Sequence, residues 1–314
     1  MNATSMPATT GPSRLKVYLA FAAIYLIWGS TYFFIREALD GFPPFMLGGI
    51  RFLVASTVMF LWCLATGVSI KPGADLKNAA ITGLLLCLVG NGAVVWVEQT
   101  IPSSVVAIVI AVAPLSFVVM DKPNWHVNFR SWSVLLGVVA GFGGVLLLFS
   151  EKIAAQLAAT QVTPEFSAMF VLLLGILGWP AGSIYAKYHP PTIPNMVNSG
   201  WQMLVGGVSF MLVSMFRGEG ALVEWSTIPT YAWLSLAYLI VFGSLIGFSA
   251  YVWLLRVRPA TQVSTYAYVN PVVAVLLGVF FGNEHFGWRE GAGLVIILGG
   301  VLLINLAKYR MNRT

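Results

Sequence analysis

Charge is scarce in this chain: only 9% of its 314 residues are Asp, Glu, Lys or Arg, against roughly 25% in an ordinary soluble domain. So few charged groups could not cover a water-facing surface. With 58% hydrophobic residues and a mean hydropathy of +0.85, an integral membrane protein is expected. Cysteine is nearly absent too, and both copies, Cys63 and Cys87, sit in apolar stretches, where a free thiol behaves as a small buried hydrophobe and no disulfide framework is implied. The three histidines, His126, His189 and His285, fall between apolar runs. There is no HExxH and no carboxylate cluster for a metal, which speaks against an intramembrane enzyme, so neither catalytic residues nor a metal are assigned. The lack of a GxxxxGK[ST] loop removes direct ATP drive, and no other cofactor is called for. Repeated filter motifs or rings of charge, which a channel needs, are also missing. No Asp or Glu lies near the middle of an apolar run, whereas proton relays through membranes normally use such groups. A membrane receptor remains a further alternative, one that would show no transport.

What is present is a series of long apolar runs. Ten lie near 17–36, 44–66, 78–97, 103–121, 131–149, 166–186, 195–216, 230–254, 260–281 and 288–307, each close to the ~20 residues that cross a bilayer as a helix. Stretches such as SVLLGVVAGFGGVLLLF do not alternate, which excludes a transmembrane barrel. With the N-terminus inside, twelve of the 17 basic residues fall on the cytoplasmic side, among them Lys71, Lys77, Lys122, Arg130, Lys187 and Arg256. Only Arg36, Lys152, Arg217 and Arg289 fall outside, and Arg51 lies within a run. Positive residues stay in the cytoplasm, so both termini are expected there. The net charge of +6 is then a topology signal and implies no nucleic-acid partner.

The chain is also written twice. GNGAVVWVEQTIPSSVVAIVIAVAP returns as GFSAYVWLLRVRPATQVSTYAYVNP at a constant offset of 157 residues, with Gly90 on Gly247, Trp96 on Trp253, Pro102 on Pro259 and Pro114 on Pro271. Upstream, Trp28, Pro43, Gly49 and Leu53 fall on Trp179, Pro194, Gly200 and Leu204 at offset 151; downstream, Trp132, Gly137 and Gly144 fall on Trp288, Gly293 and Gly300 at 156. Three collinear blocks mark an internal duplication. Five helices per copy is an odd number, so the second copy enters the membrane from the opposite side. Inverted repeats of this kind are a common transporter plan, with the substrate site near the midplane between the halves.

The organisation expected is a cytoplasmic segment 1–16, a first five-helix repeat 17–150, an extracytoplasmic linker 151–165, a second repeat 166–307 and a cytoplasmic tail 308–314. The segment MNATSMPATTGPSRLK is polar, and the run after it is too long for a signal-peptide core, so it is expected to stay uncleaved. Gly137, Gly141, Gly144, Gly293, Gly299 and Gly300 allow close helix packing. Packing of each helix on its own half is the expectation, which favours a monomer; dimer formation is the alternative.

YLIWGSTYFFIREALDGFPPFMLGGIRFLVA, VGNGAVVWVEQTIPSSVVAIVIAVAPL and STYAYVNPVVAVLLGVFFGNEHFGWREGAGLVIILGGVLL together resemble the EamA branch of the drug/metabolite transporter superfamily, over nearly the whole chain. The sequence is similar to its ten-helix bacterial exporters, including aromatic amino acid exporters of the inner membrane. That resemblance implies an all-α basket around a central cavity, with the fifth and tenth helices peripheral. It also implies export of amino acids or related metabolites; the branch handles nucleosides, drugs and other polar metabolites as well. One departure stands out: the first copy reads AVAP where the second reads YVNP, so polar contacts are expected more from the ninth helix than from the fourth.

Cavity residues can be chosen by polarity, since a lipid-facing surface has no use for hydrogen-bonding groups. The ninth run offers Ser264, Thr265, Tyr266, Tyr268 and Asn270 beside Pro271. Two readings of Asn270 stand side by side: it binds substrate, or it re-satisfies the backbone at the proline. Asn91, in the small-residue run GNGA, either lines the cavity or bridges helices. Trp28 lies about a dozen residues into its run, ~18 Å along a helix, and Trp179 is similarly placed; an interior Trp suits a cavity wall better than an interfacial belt. Tyr32 and Ser183 follow them, and Gly178-Trp179-Pro180 suggests a broken helix. Arg51 is the one charge clearly inside a run, away from its ends. With Glu98, or Glu37, as partner it is expected at an outer gate. The expected function is alternating-access transport of a small molecule in contact with lipid, as facilitated or exchange export, with proton coupling as the alternative.

Overall fold

The computed structural model describes residues 13–125, 132–159, 161–258, 263 and 265–311. His126, Arg130, Pro259 and Ser264, the start of the 260–281 run and both chain ends lie outside them. The described residues form helices and no strand: α1 Arg14–Ala38, α2 Pro44–Ala65, α3 Gly73–Val97, α4 Ser103–Met120, α5 Trp132–Leu148, α6 Ser150–Ala158, α7 Pro164–Tyr188, α8 Asn195–Phe216, α9 Thr230–Leu255, α10 Tyr266–Phe281 and α11 Trp288–Met311. Seven of them (α1 to α4 and α7 to α9) are long and apolar enough to cross a membrane, and α5 with α6 makes an eighth if that pair, bent by 56°, is one span. Of the other runs, α10 is an apolar helix of 16 residues and α11 a helix of 24. Residues 151–165, expected as a linker, contain most of α6, which leans against α5.

Proline sets many of the boundaries. Pro43, Pro102, Pro194 and Pro229 are extended residues immediately before α2, α4, α8 and α9, where a missing N–H removes nothing the helix uses. α2 and α8 end alike. Gly67 and Gly218 take φ of +74° and +69° just past their last turns and donate to the carbonyls of Leu64 and Met215. This left-handed stop suits glycine, and the two glycines stand 151 residues apart.

Positions that match at the sequence offsets also meet one another in space. A side chain on Gly49 would collide with Met211, and one on Gly200 with Phe60; Gly49 pairs with Gly200 and Phe60 with Met211 at the same offset of 151. Likewise Gly137 abuts Gly300 while Gly144 abuts Gly293, and those four exchange at offset 156. These contacts exchange in reciprocal pairs. In both cases one helix ascends as its equivalent descends, so α2 and α8, and α5 and α11, cross antiparallel. This corrects one expectation: Gly137, Gly144, Gly293 and Gly300 join helices of different halves, because α5 and α11 are each other's main neighbours. A second correction concerns α7, which runs unbroken through Pro180 for 25 residues. Gly175, Gly178 and Gly182 lay one face of it against Ala93, Val89 and Leu86 of α3, and that continuous seam holds the helix straight. α4 is the most enclosed helix and carries the main apolar core through Val105, Ile108, Val112 and Leu115.

The close crossing of α5 and α11 makes a prediction. A Cβ on Gly137 would stand 2.5 Å from the Gly300 carbonyl oxygen, whereas one on Gly143 of the same helix meets nothing within 4 Å. Gly137→Val should destabilise the detergent-solubilised protein by about 1–3 kcal/mol. Gly143→Val should leave its melting temperature unchanged; equal effects would contradict the crossing.

Candidate functional site

Three helices depart from α geometry where they approach the centre. α1 widens to π turns at Ala23–Ile27, α3 at Leu84–Asn91 and α9 at Leu239–Phe248. The last two contain the repeat-related pair Gly90 and Gly247. Wide turns of this type concentrate at functional sites. Here each glycine receives an indole from the other half: Trp28 lies over Gly247 and Trp179 over Gly90. Trp28 Nε1 donates to the Gly243 carbonyl at 3.2 Å, inside the α9 π segment.

Between these segments lies a cavity walled by α1, α2, α3, α4, α7, α9 and α10. Trp28, Tyr32, Asn91, Trp179, Tyr266 and Asn270 all line it. The two repeat-related indoles meet edge to face at 5.6 Å, and Trp28 also touches Tyr266 at 5.4 Å and Tyr251 at 4.9 Å. Such a cluster presents both apolar surface and the electron-rich faces that attract cations. Asn270 has a structural task as well. With its amide nitrogen turned toward α1 it donates to the carbonyls of Ile24, Tyr25 and Tyr266 at 3.1–3.2 Å, tying α10 to the widened turns of α1.

Two expected cavity residues are not on its wall. Ser183 turns back to donate to the Trp179 carbonyl at 2.9 Å and meets the Tyr251 hydroxyl at 3.4 Å, so it braces the aromatic cluster from behind. Tyr268 packs against the main apolar core, because α10 turns Tyr266 and Asn270 inward and Tyr268, between them, away. Arg51, expected at an outer gate, instead lines the cavity, with Nε donating to Ser244 Oγ at 2.9 Å and Nη1 to Asn91 Oδ1 at 3.4 Å. It forms no ion pair with Glu37 or Glu98 among the described residues. Tyr251 and Ser244 escaped the sequence reading. Ser244 pairs with Cys87 at offset 157, and that pairing of two cavity-lining positions was the available signal.

At both ends of the bundle, acids of one half hold the other. Toward the basic end, Asp75 Oδ2 accepts from Thr192 N, Thr192 Oγ1 and Ile193 N at 3.0, 2.6 and 3.1 Å. At the opposite end, Glu284 accepts from Ser103 N and Oγ, both at 2.7 Å, and from Ser104 N at 3.0 Å, while Glu219 accepts from Met46 N at 2.8 Å. Each carboxylate of this second set satisfies amides at a helix start, where negative charge is favoured.

Glu98, the residue after α3, sits beneath these contacts with no exposure, and neither carboxylate oxygen has a hydrogen-bond partner. Arg36 Nη1 donates to its main-chain carbonyl at 2.9 Å. It is no exposed mouth residue. Burial above all, and then the Glu284 carboxylate, push its carboxyl well above the usual range, against the pull of Arg36 and Arg51. Below its ordinary value of 4.5 the folded and unfolded chains both hold the proton. Between that value and the raised folded one only the unfolded chain releases the proton, so the wild type loses stability with rising pH across this window and Glu98→Gln does not. The two should therefore melt together at pH 4, with the variant more stable by on the order of 2–4 °C at pH 8; a wild type that gains on the variant with rising pH would contradict this environment.

The geometry has counterparts in known proteins. The model of the EamA-like transporter family matches the chain twice, over residues 15–150 and 166–306. An Escherichia coli K12 protein named an uncharacterized inner membrane transporter, YedA, is 37% identical over 301 residues, covering 94% of this chain and 92% of that protein. Protein PecM of Dickeya dadantii is 25% identical and covers 93% and 92%. A solved crystal structure, 19% identical, superposes with a TM-score of 0.62 over 95% of this chain and 99% of that one, and so shares the fold.

Proposed function

Since the chain belongs to the EamA-like transporter family and is a multi-pass transporter of the inner membrane, we propose that it exports amino acids or related amphipathic metabolites by alternating access. The observation that carries this reading is the cavity. It lies between two halves whose contacts exchange in pairs, and it joins an aromatic wall of Trp28, Trp179 and Tyr266 to a polar wall of Arg51, Asn91 and Ser244. A molecule with an apolar body and a polar head matches both walls.

Two inverted halves can exchange conformations, which makes the inward-open and outward-open forms close in energy. In this reading the carboxylate contacts at the two ends act as alternate seals. Asp75 closes the basic end, Glu284 and Glu219 close the other, and opening one end breaks hydrogen bonds that the opposite end keeps. Substrate then moves down its gradient or in exchange. The proton-coupled version is favoured by one observation, the buried and unpartnered carboxyl of Glu98.

Proteoliposomes preloaded with mixed amino acids and nucleosides should lose amino acids selectively and without need of an imposed proton gradient. Selective nucleoside loss would refute the substrate class, and strict dependence on the gradient would refute facilitated export. The seals are tested through Cys87, which lines the cavity, in a Cys63→Ala background. Asp75→Ala should raise its labelling by a membrane-impermeant maleimide severalfold from the basic end, and Glu284→Ala should do so from the opposite end. Enhanced labelling from the same side in both variants would contradict alternate sealing.

A further inference from the structure

We propose that Arg51 is the subsite for a carboxylate on the transported molecule, so that this cavity selects small carboxylates with apolar or aromatic bodies over amines and other cations. The inference rests on the exporter reading and names its substrate class.

The first ground is the state of the guanidinium. Arg51 is 4% exposed and lies 4.9 Å from the centroid of Phe52. Of the five N–H groups of an arginine, one is given to Ser244 and one, at a long 3.4 Å, to Asn91. Both acceptors are neutral. The ion pairs among the described residues join Lys187 to Asp121, Arg217 to Glu219 and Arg289 to Glu151, and no Asp or Glu lines the cavity. Glu98 is wholly buried, and its carboxylate makes no hydrogen bond to Arg51. A buried cation without a counter-charge is strongly destabilising unless an anion completes it, and the planar fork that remains free is matched to a carboxylate.

The second ground is a break in the symmetry. Offset 151 places Gln202 opposite Arg51, while offset 157 places Cys87 opposite Ser244 and Phe248 opposite Asn91. In the second half the Gln202 amide is spent on the Thr82 hydroxyl at 2.9 Å. The cation and both of its hydrogen-bonding partners therefore depart together from the duplicated pattern, and all three face the cavity. A merely structural arginine at the seam would need no such joint change. A third feature agrees: the charge sits in the same cavity as the aromatic cluster of Trp28, Trp179 and Tyr266, so one small molecule can place its carboxylate on Arg51 and its body on the rings.

The test uses four probes with a common ring: 3-phenylpropionate, L-phenylalanine, L-phenylalaninamide and phenethylamine. Binding to the purified full-length protein is measured by calorimetry. The two carboxylates should bind the wild type at least about tenfold more tightly than the amide and the amine. Arg51→Gln, which installs the residue of the other half, should lose about tenfold for the carboxylates and leave the other two unchanged. Arg51→Lys should keep part of the preference, and an unaltered gel-filtration profile confirms that the variants fold. Equal affinity for carboxylates and amide in the wild type, failure of both carboxylates to bind at millimolar concentration, or a uniform loss in Arg51→Gln would each overturn the subsite. Because binding needs no transport, selective carboxylate binding together with silent proteoliposomes would sink the exporter reading and leave the Arg51 site standing. Export of metabolites without carboxylate preference would do the reverse.

Discussion

Every polar group inside this bundle has to find its partner within the bundle, because lipid offers none. The carbonyls exposed where α1 and α9 widen are met by the Asn270 amide and the Trp28 indole. The helix starts at Met46 and Ser103 are met by Glu219 and Glu284 from the other half. Part of this satisfaction is supplied across the seam between halves, and breaking the seam at one end exposes groups that only the opposite half, or water, can satisfy. Among the described residues Arg51 forms no ion pair, and several buried polar atoms, the Glu98 carboxylate oxygens and the Trp179 indole nitrogen among them, have no hydrogen-bond partner. In the proposed reading, a substrate completes Arg51 and a proton completes Glu98.

The paired contacts give the seam its mechanical character. Glycines receive side chains from the equivalent helix in reciprocal fashion, Gly49 with Met211 and Gly200 with Phe60. The carboxylate contacts at the two ends are few and directional, which suits them to be made and broken. The central indoles Trp28 and Trp179 lean on each other and on glycines of the opposite halves, so any relative motion of the halves reshapes the aromatic wall.

Much of this was legible in the sequence because it is written as repetition and polarity. The fixed offsets located Trp28 with Trp179 and Gly90 with Gly247, and the polar residues of α10 pointed to Tyr266 and Asn270 on the cavity wall. What was not legible depends on rotation about a helix axis and on neighbours distant in sequence. Tyr268 is as polar as Tyr266 but turns toward the core. Ser183 spends its hydroxyl on its own backbone, as serine in a helix readily does. Pro180 reads as a break, yet the glycine face of α7 on α3 overrides it. Arg51 reads as a gate residue because it lies toward the outer end of its run, with Glu98 and Glu37 as the acids in reach. Its actual acceptors, Asn91 and Ser244, are neutral and the second is 193 residues away.

The claim on which the rest depends is that the two ends open in alternation around one cavity. Spin-label pairs across the halves at exposed positions, Ala74 with His189 at the basic end and Gln99 with His285 at the other, measure it directly by double electron–electron resonance in lipid. Alternating access predicts two distance populations per pair, with conditions or variants that lengthen one pair shortening the other. Distances that stay fixed at both ends, or that lengthen together, would contradict it.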